Sequence, residues 1–282
     1  MLNKLRRKMM IYFDFDDQGY DLQKLNNPNL SLFYYKYFPK IVTDSEKKKK
    51  KEYLERFVKL QMNTNLITKR IQQIRHLSGE SNYVKMKNIS RFMCGIGYTS
   101  TVEWGMNFDW TSGIPYLPGS SFKGALLSYL EFIKGKSVER REFDSVNLID
   151  NKNDNWKKED IIKVFGPQGE NDKADTGGVI FFDVYPEHFA GLEMDVITPH
   201  YQKYYSSEGT EPPSDTENPN PIPFLTIKPG SRFMFAFRVR DDKKVDTNLA
   251  AKLKRLIVET GNNFGFGAKT SSGYGYFQKT GE

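Results

Sequence analysis

Lys269, Thr270, Ser271 and Ser272 stand side by side within GFGAKTSSGYGYF, Gly265 to Phe277. One ammonium, three hydroxyls and the backbone N–H groups exposed by glycine form a donor set suited to phosphate oxygens. Gly267 and its neighbours permit positive φ and the close approach of another backbone. Tyr274 and Tyr276 add rings that can stack on bases or pack inward. Two nucleotide-binding patterns fail here. A Walker A loop ending at Lys269 would need glycines where Asn263 and Ala268 stand. A dinucleotide fingerprint lies between a strand and a helix, whereas this stretch follows a helical pattern and leads into a last strand. A tight turn without any ligand accounts for the same glycines on steric grounds.

LPGSSFKG, Leu117 to Gly124, has related chemistry. It opens a predicted helix, where unpaired N–H groups and the dipole attract anions. Ser120 or Ser121 as N-cap explains the serines without a ligand. Neither role explains Lys123, a cation in a first turn that disfavours positive charge. A third group is His200, Tyr201, Lys203 and Tyr204, in TPHYQKYY. His200 is the histidine with neighbours suited to acid–base work, although a structural or RNA-contacting role is the preferred account of it. His76 falls on a basic helix and His188 at a strand end. Asp14, Asp16 and Asp17 cluster near the N-terminus, and Asp183 and Asp195 lie on predicted strands without an evident partner, so no metal site is expected. No cofactor is expected either.

These residues need elements to position them. LSLFYYKYF predicts a short aromatic helix stopped near Pro39. Apolar positions from Leu54 to Ile74 predict helix up to Gly79, and the run Lys47 to Lys51 is expected to be exposed or mobile. ISRFMCGIGYTS reads as a strand, SSFKGALLSYLEFIKG as a helix and GGVIFFDVYPE as a strand ended by Pro186. LEMDVI begins another strand, and FLTIKPGSRFMFAFRVR reads as two strands around Pro229 and Gly230. NLAAKLKRLIVETG is an amphipathic helix closed by Gly261, and YGYF is the final strand. Residues 140–176 are polar and weakly patterned. Residues 206–223 contain five prolines and read as a long loop, part of an insertion around 193–223. The expected class is α+β: an RRM-like or ferredoxin-like antiparallel sheet over residues 88–282, preceded by a basic, mostly helical region over 1–87.

Charge supports that division. Residues 1–87 hold 19 Lys/Arg against 9 Asp/Glu, within a net +7 for all 282 residues. A basic third suits nucleic acid or an acidic protein surface, and equally a solvated helical face. The single Cys94 excludes an internal disulfide and a cysteine-based zinc site. No run is long enough for a membrane span, and the apolar stretch Met9 to Phe13 is too short for a signal peptide. A cytoplasmic location is the expectation.

IPYLPGSSFKG, GGVIFFDVYPE, DVITPHYQKYY, PIPFLTIKPGSRFMF and GFGAKTSSGYGYF occur in that order. This ordered set resembles the RAMP superfamily of CRISPR systems, and within it the sixth RAMP-module subunit of type III-B effector complexes, the Cmr complexes. The resemblance covers residues 90–278. It implies a non-catalytic RNA-binding subunit near the end of a protein filament, holding the 3′ part of a guide RNA (crRNA) and its paired target RNA in antiviral defence. Other RAMP subunits are the implied protein partners. It further implies RNA contacts by Ser120, Ser121, Lys123, Lys269, Thr270, Ser271 and Ser272, with His200, Tyr201, Lys203 and Tyr204 reaching RNA or the adjacent subunit. The Pro-rich stretch would be the tip of a thumb-like extension. The alternatives are a guide-processing, metal-independent endoribonuclease using His200, and an assembly subunit that contacts only proteins.

Overall fold

The computed structural model describes residues 28–36, 44–100, 104–134, 145–149, 154–167, 176–198, 221–241 and 245–281, with five further positions, 204, 206, 207, 210 and 212. Among the described residues three helices come first: α1 (Leu30–Tyr35), α2 (Asp44–Phe57) and α3 (Thr64–Ser78). Then follow β1 (Tyr83–Asn88), α4 (Gly119–Lys134), β2 (Ser145–Asn147), β3 (Asn155–Lys157), α5 (Lys158–Phe165), β4 (Val179–Phe181) and β5 (Tyr185–His188). The chain continues as β6 (Leu192–Ile197), β7 (Ile222–Ile227), β8 (Arg232–Val239), α6 (Thr247–Asn263) and β9 (Phe277–Lys279). The main sheet is antiparallel and runs β4-β8-β1-β9, with β5 also on β8. β2 pairs with β3, and β6 with β7. The protein is thus a mixed helix and antiparallel-sheet fold.

β8 is apolar on both faces because both are covered. Phe235 packs on Phe122 of α4 and on Phe266 and Phe277. On the other face Met234 and Ala236 are buried, and α3 packs across β5 and β8. α6 lies over β1 and β9, so helices flank the sheet on two sides. Leu54, Phe57, Ile67, Ile71 and Ile74 of the N-terminal helices join the same hydrophobic cluster as the sheet. The boundary expected between 87 and 88 therefore falls within β1.

Several local expectations are corrected. The strand lies at Tyr83–Asn88 rather than in residues 89–100. β1 alternates buried Val84 and Met86 with outward lysines. Residues 89–100 instead form an irregular segment with one bridge, Phe92 to Ile227, and spend carbonyls on the C-terminal loop. The predicted helix between Leu54 and Gly79 is broken at 58–63, where Asn63 Oδ1 caps α3 by accepting from Asn65 N at 3.0 Å. Lys47 to Lys51 belong to α2, where Lys51 is exposed as expected. Pro186 sits inside β5, opposite Phe233; an edge strand tolerates its missing donor. The strand predicted as one piece is two, β4 and β5. Gly261 does not close α6, which continues to Asn263, and its lack of a side chain lets the helix lie against Met86 and Phe277. The polar region 140–176 contains β2, β3 and α5, around a fully buried Trp156. Most of the Pro-rich segment lies outside the described residues.

Asp109 ties three regions together. Its carboxylate accepts from Arg70 of α3 at 2.9 Å, from Tyr185 of β5 at 3.0 Å and from the Thr111 hydroxyl at 2.7 Å. Burial alone would raise its pKa, but hydrogen bonds from Thr111, Ser112 and Tyr185 outweigh it and lower the value to about 2. The folded pKa is thus below the unfolded one. The resulting stabilisation is complete above pH ~4 and is lost as pH falls through about 2. Asp109→Ala should cost ~2 kcal/mol in urea unfolding at neutral pH and flatten the acid-denaturation profile below pH ~4.

Candidate nucleic-acid interface

The glycine-rich stretch leaves α6 and returns to the sheet as β9. Gly265, Gly267, Gly273 and Gly275 all have positive φ, between 73° and 89°. Lys269 is left-handed too, at φ 59°, a conformation few non-glycine residues adopt. A short 3₁₀ turn, Thr270–Ser272, follows it. Most amides in the stretch are already used. Ala268 N donates to Met93 O at 2.9 Å, Gly275 N to Arg91 O at 2.7 Å, and Phe266 N to Gly275 O at 2.8 Å. Among the described residues, the amides of Gly267, Lys269, Thr270 and Ser271 have no acceptor. They are grouped at one bend, where Gly267, Ser271 and Ser272 are exposed. The Lys269 ammonium stands 6.0 Å from the Trp104 ring centre.

Tyr274 is anchored rather than free. Its hydroxyl donates to Asp195 Oδ2 at 2.5 Å, and its ring lies 6.2 Å from Phe224. Burial, then the Asp195 carboxylate, pushes its pKa up to about 12. Arg91 completes this knot, bonding Glu193 at 2.9 Å and Asp195 at 3.0 Å. Asp195, without an evident partner in the sequence, therefore links β6 to the loop.

At the second motif the capping expectation is corrected. α4 begins at Gly119, so Ser120 and Ser121 lie in its first turn. The N-terminal amide of Gly119 is met by Asp183 Oδ1 at 2.7 Å, a carboxylate from the β4–β5 link. A Cβ at Gly119 would overlap the carbonyl of Phe181. Both serine residues are exposed. Lys123 is half-buried, and burial lowers its pKa. The two motifs share a wall, because the Phe122 and Phe266 rings pack 5.9 Å apart.

His200, Tyr201 and Lys203 lie outside the described residues, as do Asp14, Asp16 and Asp17. His76 and His188 are exposed. No cluster able to hold a metal, and no helix long and apolar enough to cross a membrane, occurs among the described residues. Cys94 is buried, donates to Tyr116 O at 2.8 Å, and has its pKa pushed up to about 12 by burial. That is a structural thiol rather than a nucleophile. Sequence reading missed Arg91, Trp104 and the capping role of Asp183. The side-chain partners of Arg91 are 102 and 104 positions away and that of Asp183 is 64 away, and no local pattern marks them.

A profile of the RAMP superfamily matches residues 105–278, which include both motifs. The chain belongs to the RAMP superfamily. This RAMP chain is 32% identical over 233 residues to the CRISPR system Cmr subunit Cmr6 of Pyrococcus furiosus, covering 68% of the chain and 66% of that protein. It is 31% identical over 178 residues to the corresponding subunit of Saccharolobus solfataricus, covering 62% and 48%. It thus spans just under two thirds of one curated relative and about half of the other. A chain of the type III-B Cmr-beta complex bound to cognate target RNA superposes with a TM-score of 0.60 at 21% identity, covering 86% of this chain and 78% of that one. That likeness extends to the fold.

Two glycines separate the loop's lock from its exposed rim. At Gly275 a Cβ would overlap the Phe266 carbonyl oxygen, whereas at Gly273 it would meet open space. Both have positive φ. Gly275→Ala should lower stability by ~3 kcal/mol in chemical denaturation and Gly273→Ala by ~1 kcal/mol, the cost of a left-handed alanine alone.

Proposed function

We propose that this chain is a non-catalytic RNA-binding and filament-capping subunit of a type III-B CRISPR effector complex. In this reading it holds the 3′ part of a guide RNA and its paired target RNA, beside other RAMP subunits in the cytoplasm. The chain order β1, α4, β4/β5, β8, α6, β9, with its antiparallel sheet order, supports reading the core as RRM-like. The observation that carries the RNA reading is the bend at Gly267 to Ser271. Four backbone donors without acceptors and an ammonium without a carboxylate partner crowd one surface. Such a concavity favours an anion, and a glycine rim admits a polymer backbone. Lys123, Ser120 and Ser121 extend the donor set across the Phe122–Phe266 wall. The contacts would go to phosphate, so they would position RNA without reading its sequence.

Cleavage chemistry is assigned elsewhere in the assembly. The exposed His76 and His188 stand on different elements, and an RNA-cleavage assay of His200→Ala tests the remaining histidine. The main test is fluorescence anisotropy of the full chain with labelled single-stranded RNA over a salt series. Lys123→Ala with Lys269→Ala should weaken binding to unrelated sequences alike and reduce the salt slope by ~1.4, or ~0.7 per lost phosphate contact. Unchanged affinity and slope in a folded double variant would overturn the proposal.

A further inference from the structure

The sheet face that carries α3 is only half covered. α3 packs across β5 and β8, while Lys87 of β1 and Gln278 of β9 remain exposed and Tyr83 and Lys85 are half-buried. Strand register fixes what stands there. Arg232 of β8 lies opposite Lys87 of β1, and Lys87 lies opposite Gln278 of β9. His188 of β5 lies on the far side of Arg232. Directly opposed residues share a face, so these side chains form one row across four strands, roughly 14 Å wide at ~4.8 Å per strand.

The row is cationic. Lys85, two residues before Lys87 and on the same face, reaches the Glu187 carboxylate at 3.1 Å. Arg232 and Arg75 approach that carboxylate at 3.6 Å and 3.7 Å. One carboxylate thus serves three cations, and Lys87 has no ion-pair partner among the described residues. The row also has a direction. Ile89 N donates to Tyr276 O at 2.9 Å, so the next step along the face is exposed Ile89 beside Tyr276. Tyr276 follows Gly275, the residue that locks the glycine-rich loop. An aromatic ring and an apolar side chain therefore join the cationic row to the bend whose amides lack acceptors.

We infer that this open half-face is a second RNA-backbone contact, continuous with the glycine-rich loop. The inference rests on the RNA-binding reading above and extends it to Lys87, Arg232, Gln278 and Tyr276. RNA leaving the loop crosses β9 and β1, with phosphates at Lys87 and Arg232 and a base against Tyr276. RNA is the occupant the surface favours over an acidic protein. The row offers cations, an amide and a ring at strand spacing, and it leads through Tyr276 to the loop whose amides lack acceptors.

Lys87→Glu with Gln278→Glu tests this while leaving the Glu187 cluster intact, since both side chains are exposed. The full-length chain, its fold checked by thermal melting, is titrated with fluorescein-labelled polyuridine RNA across a salt series. The Lys123→Ala, Lys269→Ala variant runs in parallel. Binding about tenfold weaker, with the salt slope reduced by at least ~0.7, is expected from Lys87→Glu, Gln278→Glu. Wild-type affinity and slope in this variant, with weakened binding in the parallel one, would overturn this inference alone. If neither variant changes binding, both readings fall. If RNA binding is intact but the variant no longer co-purifies with the other subunits, the face docks protein, and the inference is overturned.

Discussion

Backbone hydrogen bonds between the glycine-rich loop and residues 91–93 are the constraint on which the rest of the site depends. Gly275 donates to Arg91 O at 2.7 Å, Ala268 donates to Met93 O at 2.9 Å, and Phe266 donates to Gly275 O at 2.8 Å. These bonds need backbones to touch, and Gly267 and Gly275 are where a side chain would prevent it. A Cβ on Gly267 would overlap the Met93 carbonyl oxygen. The glycines therefore have two separable uses. Those at 267 and 275 close the loop onto its neighbour, whereas Gly273 only accommodates a left-handed turn in open space. Once the loop is fixed, the amides of Gly267, Lys269, Thr270 and Ser271 are left without acceptors among the described residues.

The same lock brings the β6–β7 pair into the site. Arg91 supplies its carbonyl to Gly275 and its guanidinium to Glu193 and Asp195 on β6. Asp195 in turn receives the Tyr274 hydroxyl. Loop, irregular segment and β6 are therefore one hydrogen-bonded unit, in which a single guanidinium serves both acids. An unpaired carboxylate beside the bend would repel an anion there; pairing with Arg91 lessens that repulsion.

What was legible in the sequence follows from how local each signal is. α6 announced itself through Leu249, Leu253, Leu256 and Ile257, and its Asp246 N-cap accepts from Leu249 N at 2.7 Å. β8 did so through a continuous apolar run. The glycine-rich loop was visible as composition. β1 was missed because YVKMKN shows three polar residues out of six, and half of its outward face stays in solvent. The more apolar residues 89–100 drew the strand assignment, although their backbone serves the loop. The serine cap failed for a related reason. SSFKG looks like a helix start, but the acceptor comes from Asp183, 64 residues later. Trp156 sits in a polar context that hid the β2–β3 pair and α5 beneath it.

Charge separates interface from scaffold more sharply than composition does. Arg70 meets Asp109, Lys252 meets Asp160 at 2.7 Å, Arg255 meets Asp154, and Arg91 meets two acids. Each of these cations ties one element to another, and its charge is spent internally. Lys123, Lys269 and Lys87 differ, since among the described residues none has a carboxylate partner. Two of them flank the Phe122–Phe266 wall, and the third stands on β1, one residue before the Asn88–Phe277 pair where β9 begins. A fold that only needed to be stable would gain by pairing such cations, because burial of Lys123 already disfavours its charged form. Leaving Lys123, Lys269 and Lys87 unpaired makes sense if a polyanion completes the pairing.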